Sequence, residues 1–354
     1  MYKNFIIALL GLIYCLGTAQ AADSLSISKK FIGPPQLVIP PPVDSALLRK
    51  LLISDRLKSQ IIEKADFLTR QNILQFRSLL RRTETLGTPN AESMANLEES
   101  LSGYIKTGDL KGQSLIYNTF GVYYGNFGQP DKAIYYFTEA LKLKERLKDH
   151  SGMIQVAENL TALYKLAEDY NKAIFYAEYV VSGNQQLKNT ARVAHTYLDI
   201  ASMKLKQEKY IESEYFILRK AFPLFQRTGN KVGRMNSFQA LAELYFQQNR
   251  LSEAKWFYLQ SQIMAIKLND VYAKITSLTG LANVKNALGE STDALQDYHQ
   301  AEQLALQNNY LVNLVEINAN LGEMYSQLGD FPAAGAALDL YNRFRENWLN
   351  SNKL

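Results

Sequence analysis

The sequence predicts an all-α solenoid of stacked two-helix units, and three observations carry that reading. One anchor position recurs at Ala133, Ala173, Ser213, Ala254, Ala294 and Ala334, at intervals of 40, 40, 41, 40 and 40 residues. A fixed period of this length marks an array whose units bury their faces against one another. Apolar residues around each anchor follow the three-and-four spacing of helices, in two runs per period. Gly128, Gly289 and Gly329 fall between the two runs in three units, where a helix must stop.

Composition narrows the function classes. The 354 residues are 47% hydrophobic and 21% charged, with a formal net charge of +5, which excludes disordered, collagenous and coiled-coil chains. Cys15 is the only cysteine and there are three histidines, so a disulfide framework, a structural zinc site and a cysteine nucleophile are excluded. Length alone suggests two or three domains, but the period replaces them with one array. Tyrosine is unusually common, with 22 residues against 16 phenylalanines and 2 tryptophans.

Residues 1–21 read as a signal peptide. Lys3 precedes an apolar run from Phe5 to Leu16, and Ala19-Gln20-Ala21 places small residues at a cleavage site. The expectation is export to the periplasm or beyond, in a bacterial envelope. Ile13 and Tyr14 before Cys15 argue against a lipoprotein site. No later apolar run reaches about 18 residues, so no membrane span is expected after cleavage. Cleavage would remove Lys3 and leave 38 − 34 = +4.

Residues 22–45 form a proline-rich linker, with Pro34, Pro35, Pro40, Pro41 and Pro42 close together. Such density blocks helix and favours extended polyproline, which suits a spacer. A docking peptide for a proline-binding groove is the other reading. Residues 46–113 are expected to be a basic helical lead-in with a partial repeat. Within 46–90 nine basic residues face four acidic ones, so the +5 of this segment exceeds the whole mature excess, and 91–354 sums to about −1. Its basic face reads as solvated helix surface, or as a contact for acidic lipid or an acidic partner.

Residues 114–354 hold six units. The first helix of each carries a small or short side chain (Gly121, Thr161, Ala201, Ala242, Ala282, Gly322), followed three residues later by Tyr124, Tyr164, Lys204, Tyr245, Lys285 or Tyr325. Four residues past each anchor stand Phe137, Ala177, Ile217, Tyr258, Tyr298 and Leu338. Small residues let helices approach and the large ones fill the next hole, so the spacing is a packing code. On this reading the tyrosines are mostly core. Unit three departs most, with Lys204, Ser213, and Pro223 inside its second helix.

This pattern resembles the tetratricopeptide repeat (TPR) family. Phe120-Gly121, Tyr124, Gly128, Ala133, Phe137 and Ala140 match it most completely, with Leu321-Gly322, Tyr325, Gly329 and Ala334 close behind. The period is longer than the family's usual one, as in the subclass that includes kinesin light chains. The layout also resembles the exported ectodomains of bacterial TPR sensor histidine kinases, without their membrane span and kinase. The resemblance implies an all-α, right-handed superhelix whose first helices line a groove that binds a protein or peptide.

Carried onto this sequence, the groove positions include Asn118, Gln155, Glu158, His195, Asn236, Gln239, Glu243, Asn283, Asn286 and Glu323, with Lys165, Lys206 and Glu316 among the others. Amides offer donors and acceptors and suit an extended backbone. The expected role is an exported, non-catalytic scaffold or adaptor, and the alternative is a ligand-sensing module that changes superhelical pitch. No phosphate loop, His-Glu-x-x-His or calcium loop occurs, and His150, His195 and His299 lie in different units, so no cofactor, metal or catalytic residue is expected. A near-neutral array does not suit nucleic acid. Finally, Phe344 and Trp348 lie on a last apolar stripe with no polar capping helix after it, which leaves two readings, a stand-alone relative of those ectodomains or a homo-oligomer that buries the C-terminal face.

Overall fold

The computed structural model describes residues 45–80, 83–85 and 91–352. The expected signal peptide, and the proline-rich linker up to Asp44, lie outside them. Among the described residues there are fourteen helices and no strand. They are α1 (Ser45–Leu80), α2 (Ala91–Thr107), α3 (Leu110–Asn126), α4 (Pro130–Leu147), α5 (His150–Leu166), α6 (Tyr170–Gln186) and α7 (Thr190–Lys206). Then come α8, in three segments (Tyr210–Tyr215, Phe216–Ala221 and Phe222–Arg227), and α9 (Lys231–Gln247), α10 (Leu251–Leu268), α11 (Val271–Ala287), α12 (Ser291–Gln307), α13 (Leu311–Gln327) and α14 (Phe331–Ser351). From α3 onward they pack as six antiparallel pairs, each against the next, and α2 packs on α3.

Left-handed residues punctuate the array at fixed phase. Five residues before each anchor, Gly128, Glu168, Glu208, Asn249, Gly289 and Gly329 take positive φ and end the first helix. The chain then closes back, as where the Asp169 amide donates to the Tyr164 carbonyl at 2.9 Å. Lys148, Lys188, Gly229, Asn269 and Asn309 do the same between repeats. The next helix is often capped by a side chain: Asp109, Asp149, Asn189, Asn230 and Asp270 each accept from the first-turn amides of a first helix.

The packing code is visible as paired sizes. A Cβ on Gly121 would stand 2.6 Å from the Phe137 ring, and one on Gly322 would stand 2.9 Å from Leu338. Ala242 and Ala282 leave the same room opposite Tyr258 and Tyr298, and all four are buried. A second pairing runs twelve residues apart within four of the units. Tyr124 stacks on Tyr136, Tyr164 on Tyr176 and Tyr245 on Phe257, with ring centroids 5.3, 5.5 and 5.4 Å apart. At the same position of unit five, Lys285 pairs with Asp297 at 2.6 Å.

Aromatics are not all core, however. Tyr135, Phe175, Tyr215 and Trp256, each two residues past an anchor, lie exposed on the second helices. Unit three keeps its place in the stack despite Pro223. Phe216–Ala221 is a π-helical stretch that absorbs one extra residue, and this is the physical origin of the 41-residue interval.

The basic part of the lead-in is one long helix, α1, that packs on the array. At 36 residues, α1 is about 54 Å long. It packs against α3 and α5 at one end of the array and α13 and α14 at the other. Phe76 and Leu80 enter the core of the first two repeats, while Ile53 packs on Ala334 and Leu338. Phe67 joins the last core, with its ring 4.7 Å from that of Trp348. This corrects the expectation of an unpartnered C-terminal face. Phe344 and Trp348 are each only 7% exposed, because α1 from the same chain contributes to the core that buries them.

Candidate functional site

The first helices α3, α5, α7, α9, α11 and α13 carry the positions expected to line a groove, referred to below as the inner face, and α1 packs at both ends of the array, on α3 and α5 and on α13 and α14. Where α1 ends, residues 83–85 continue without helix along α3 and α5. The Asn118 side-chain amide donates to the Glu84 carbonyl at 2.7 Å, and the Glu84 amide donates to Gln155 Oε1 at 3.1 Å. Thr83 is hydrogen-bonded to buried Asn159 at 3.1 Å. Asn118, expected on an open lining, is therefore 1% exposed, because the chain's own backbone lies over it.

Beside this contact, α1, α5, α6 and α7 line an open pocket of about 430 Å³. Phe76, Leu79, Ala162, Leu166, Val180 and Met203 give it an apolar floor, and Glu158, Lys165, Arg192, Asp199 and Lys206 supply its charges. Glu158 is tied to Arg192 of the next repeat. Asp199 stays in contact with solvent, but loss of water around it raises its pKa against the pull of Lys165 and Arg192. His195 lies on the same helix, its ring 4.8 Å from buried Phe225, and desolvation lowers its pKa.

Toward the C-terminal end the expected residues are engaged with one another. Gln239 donates to the Ala273 carbonyl at 3.3 Å and so bridges adjacent repeats, while Asn236 is half-buried. Glu243 accepts from Gln247 at 2.7 Å and from the buried Tyr258 hydroxyl at 3.2 Å. Asn283 accepts from the Tyr298 hydroxyl and, at 3.1 Å, from Asn320. Asn286 reaches Gln327, which also bonds Glu323, each at 3.4 Å. Desolvation, with Glu243 and Glu316 nearby, pushes the Tyr258 hydroxyl well above its usual pKa.

The three histidines stand apart, as the helix phases imply. His150 begins α5, and His299 on α12 meets the Tyr325 hydroxyl at 2.9 Å. Among the described residues no group of His, Cys, Asp or Glu could hold a metal ion, and no helix is long and apolar enough to cross a membrane. Sequence reasoning missed Thr83, Glu84 and the α1 residues Phe67 and Phe76. Phe67 and Phe76 lie in a helical apolar pattern, but nothing in one sequence tells which wall such a helix meets.

No protein-family model matches the chain, and no curated protein matches it. Solved structures do. One is a STAND signal-transduction ATPase with a tetratricopeptide repeat sensor from Pyrococcus horikoshii, at a TM-score of 0.54 and 15% identity. The match covers 88% of this chain and 49% of that one. The apo form of RapI matches at a TM-score of 0.53 and 11% identity, over 78% of this chain and 97% of that one. The chain has the tetratricopeptide-like fold. At such identities the likeness concerns architecture alone. In this tetratricopeptide-like array a helix of the same chain, α1, packs on α3 and α5 at one end and on α13 and α14 at the other.

Proposed function

We propose that the chain is an exported, non-catalytic scaffold that holds a segment of a protein or peptide partner along its inner face. One observation carries this reading. Two side-chain amides from successive repeats, Asn118 and Gln155, grip both the carbonyl and the amide of Glu84. Both bonds to Glu84 are to main-chain atoms, so the mode tolerates many sequences, and specificity falls to the neighbouring cavity. Residues 91–354, at about −1, give no electrostatic footprint for nucleic acid.

Photo-crosslinking in cells tests the proposal. A photoreactive residue at exposed Gln247 on the inner face should capture a polypeptide that the same residue at Lys142, on a second helix, does not. Equal capture from both positions, or capture of small molecules only, would overturn it. Export is tested by fractionation and N-terminal sequencing, with a mature start at Ala22 expected.

A second reading, a ligand-sensing module, is favoured by one feature. Because α1 touches both ends of the array and walls the cavity, anything filling the cavity acts on the helix that ties the ends. A scattering profile that tightens as a captured partner is added supports sensing, and an unchanged one supports the scaffold.

A further inference from the structure

The first half of α1 is seated on the C-terminal end of the inner face in the manner of a bound ligand helix. Ile53, Gln60 and Phe67 follow one another at intervals of seven, 6%, 8% and 3% exposed, and Leu74 continues the line into the same core. Seven-residue spacing keeps one helix face on one track of its neighbour. Charges flank the line in complementary places. Arg56 Nη2 meets Asp339 at 2.7 Å, Arg345 meets Glu63 at 3.3 Å, and Lys64 lies near Glu316.

Two features make this half of the helix replaceable. Phe76 stands two residues beyond Leu74, about 200° round the helix, and with Leu80 it is anchored in the opposite wall, so the second half can hold while the first lifts. The outward face of the first half leaves Leu51, Leu52, Ile61, Ile62 and Leu68 47–75% exposed. The seat is also imperfect. Gln60 places a polar amide in the middle of the apolar line, where such a residue costs stability in helix pairs.

We propose that this track on α13 and α14 is a binding site for a basic amphipathic helix of a partner, with α1 as the occupant it displaces. The inference rests on the inner face being a partner site and names the chemistry of that partner. It is a helix with apolar residues at seven-residue spacing, including the position of Gln60, and with cations opposite Asp339 and Glu316. A site filled by its own helix nine-tenths of the time binds a competitor about tenfold more weakly.

The probe is a labelled peptide of residues 49–70 carrying Gln60→Leu, titrated onto the full chain. It should bind at least about tenfold more tightly to a full chain with Ile53→Asp and Phe67→Asp, which releases the first half of α1, than to wild type. Adding Asp339→Arg to that variant should reverse the gain. Should the double substitution unfold the array, Arg56→Asp loosens the same seat without touching its packing. Equal affinity for closed and released chains overturns the proposal. So does absence of binding when proteolysis within residues 45–70 shows the track to be vacated. If Gln247 still captures a polypeptide while the peptide fails, only this inference falls.

Discussion

Phe67 in the first described helix and Trp348 in the last meet edge to face, with ring planes at 63°. Both are buried, at 3% and 7% exposure, and each ring is part of the other's cover. Truncating a buried aromatic ring removes its transfer energy and leaves a cavity. Phe67→Ala is therefore expected to cost about 3 kcal/mol or more and to shift Trp348 emission to the red. Urea unfolding followed by tryptophan fluorescence checks both. An unchanged midpoint with unchanged emission would mean that α1 does not lie on Trp348.

Glu168 takes φ 56° at the turn where units one, five and six use glycine. A side chain in the left-handed region costs roughly 1–2 kcal/mol, of which glycine's extra unfolded freedom recovers only part. Glu168→Gly should raise stability by about 0.5–1 kcal/mol, and Glu168→Ala should not. Thermal melting of the pair separates the two outcomes.

The π-helical stretch Phe216–Ala221 holds one residue more than the matching stretch of any other unit. Deleting exposed Arg219 restores the common 40-residue interval. It should be tolerated, with a fall in Tm of a few degrees, the scale of about 1 kcal/mol in a chain this long. Deleting Gln260, at the same phase of α10, rotates every later residue of that helix by about 100° off its track. Loss of the cooperative transition is expected there. Equal melting of the two deletions would remove the π-helical account.

Much of this array could be read from residues because its determinants are local. The anchors, the small residues facing large ones and the turn positions each act within one unit or between neighbours, so a period of forty exposes them. Unit three shows the limit. Pro223 and the 41-residue interval signalled irregularity, but how a helix stores an extra residue is settled by packing on both sides. The inner-face residues were legible as positions, not as partners. Asn118 and Gln155 stand where the repeat places them, yet what they hold is Glu84, which no repeat encodes. The path of α1 was not legible at all, since its apolar residues say that it packs but not on what.

Glu316 sits on the inner face near Lys64 of α1 and Glu243. Glu316 keeps contact with solvent, but crowding by the surrounding protein raises its carboxyl pKa, with Lys64 opposing the rise and Glu243 adding to it. A carboxyl with a higher pKa folded than unfolded binds its proton more tightly in the native state. Its charged form therefore costs stability, from about pH 4.3, the unfolded value, upward to a plateau above the folded one. Glu316→Gln should be more stable than wild type at pH 7, with the gain vanishing below about pH 4. Paired urea titrations at the two pH values decide it, and a gain of equal size at both would sink the assignment.

An open solenoid contacts only its neighbours, so its terminal units fray first and folding can spread from any point. With α1 reaching from the first repeat to the last, the chain loses that freedom. Contacts between the two ends raise its contact order, and closing them waits on the intervening repeats. The array should fold more slowly than an open one of equal length. Its two ends then cease to be ends, since protection against hydrogen exchange in α14 becomes a property of α1 as much as of its own repeat.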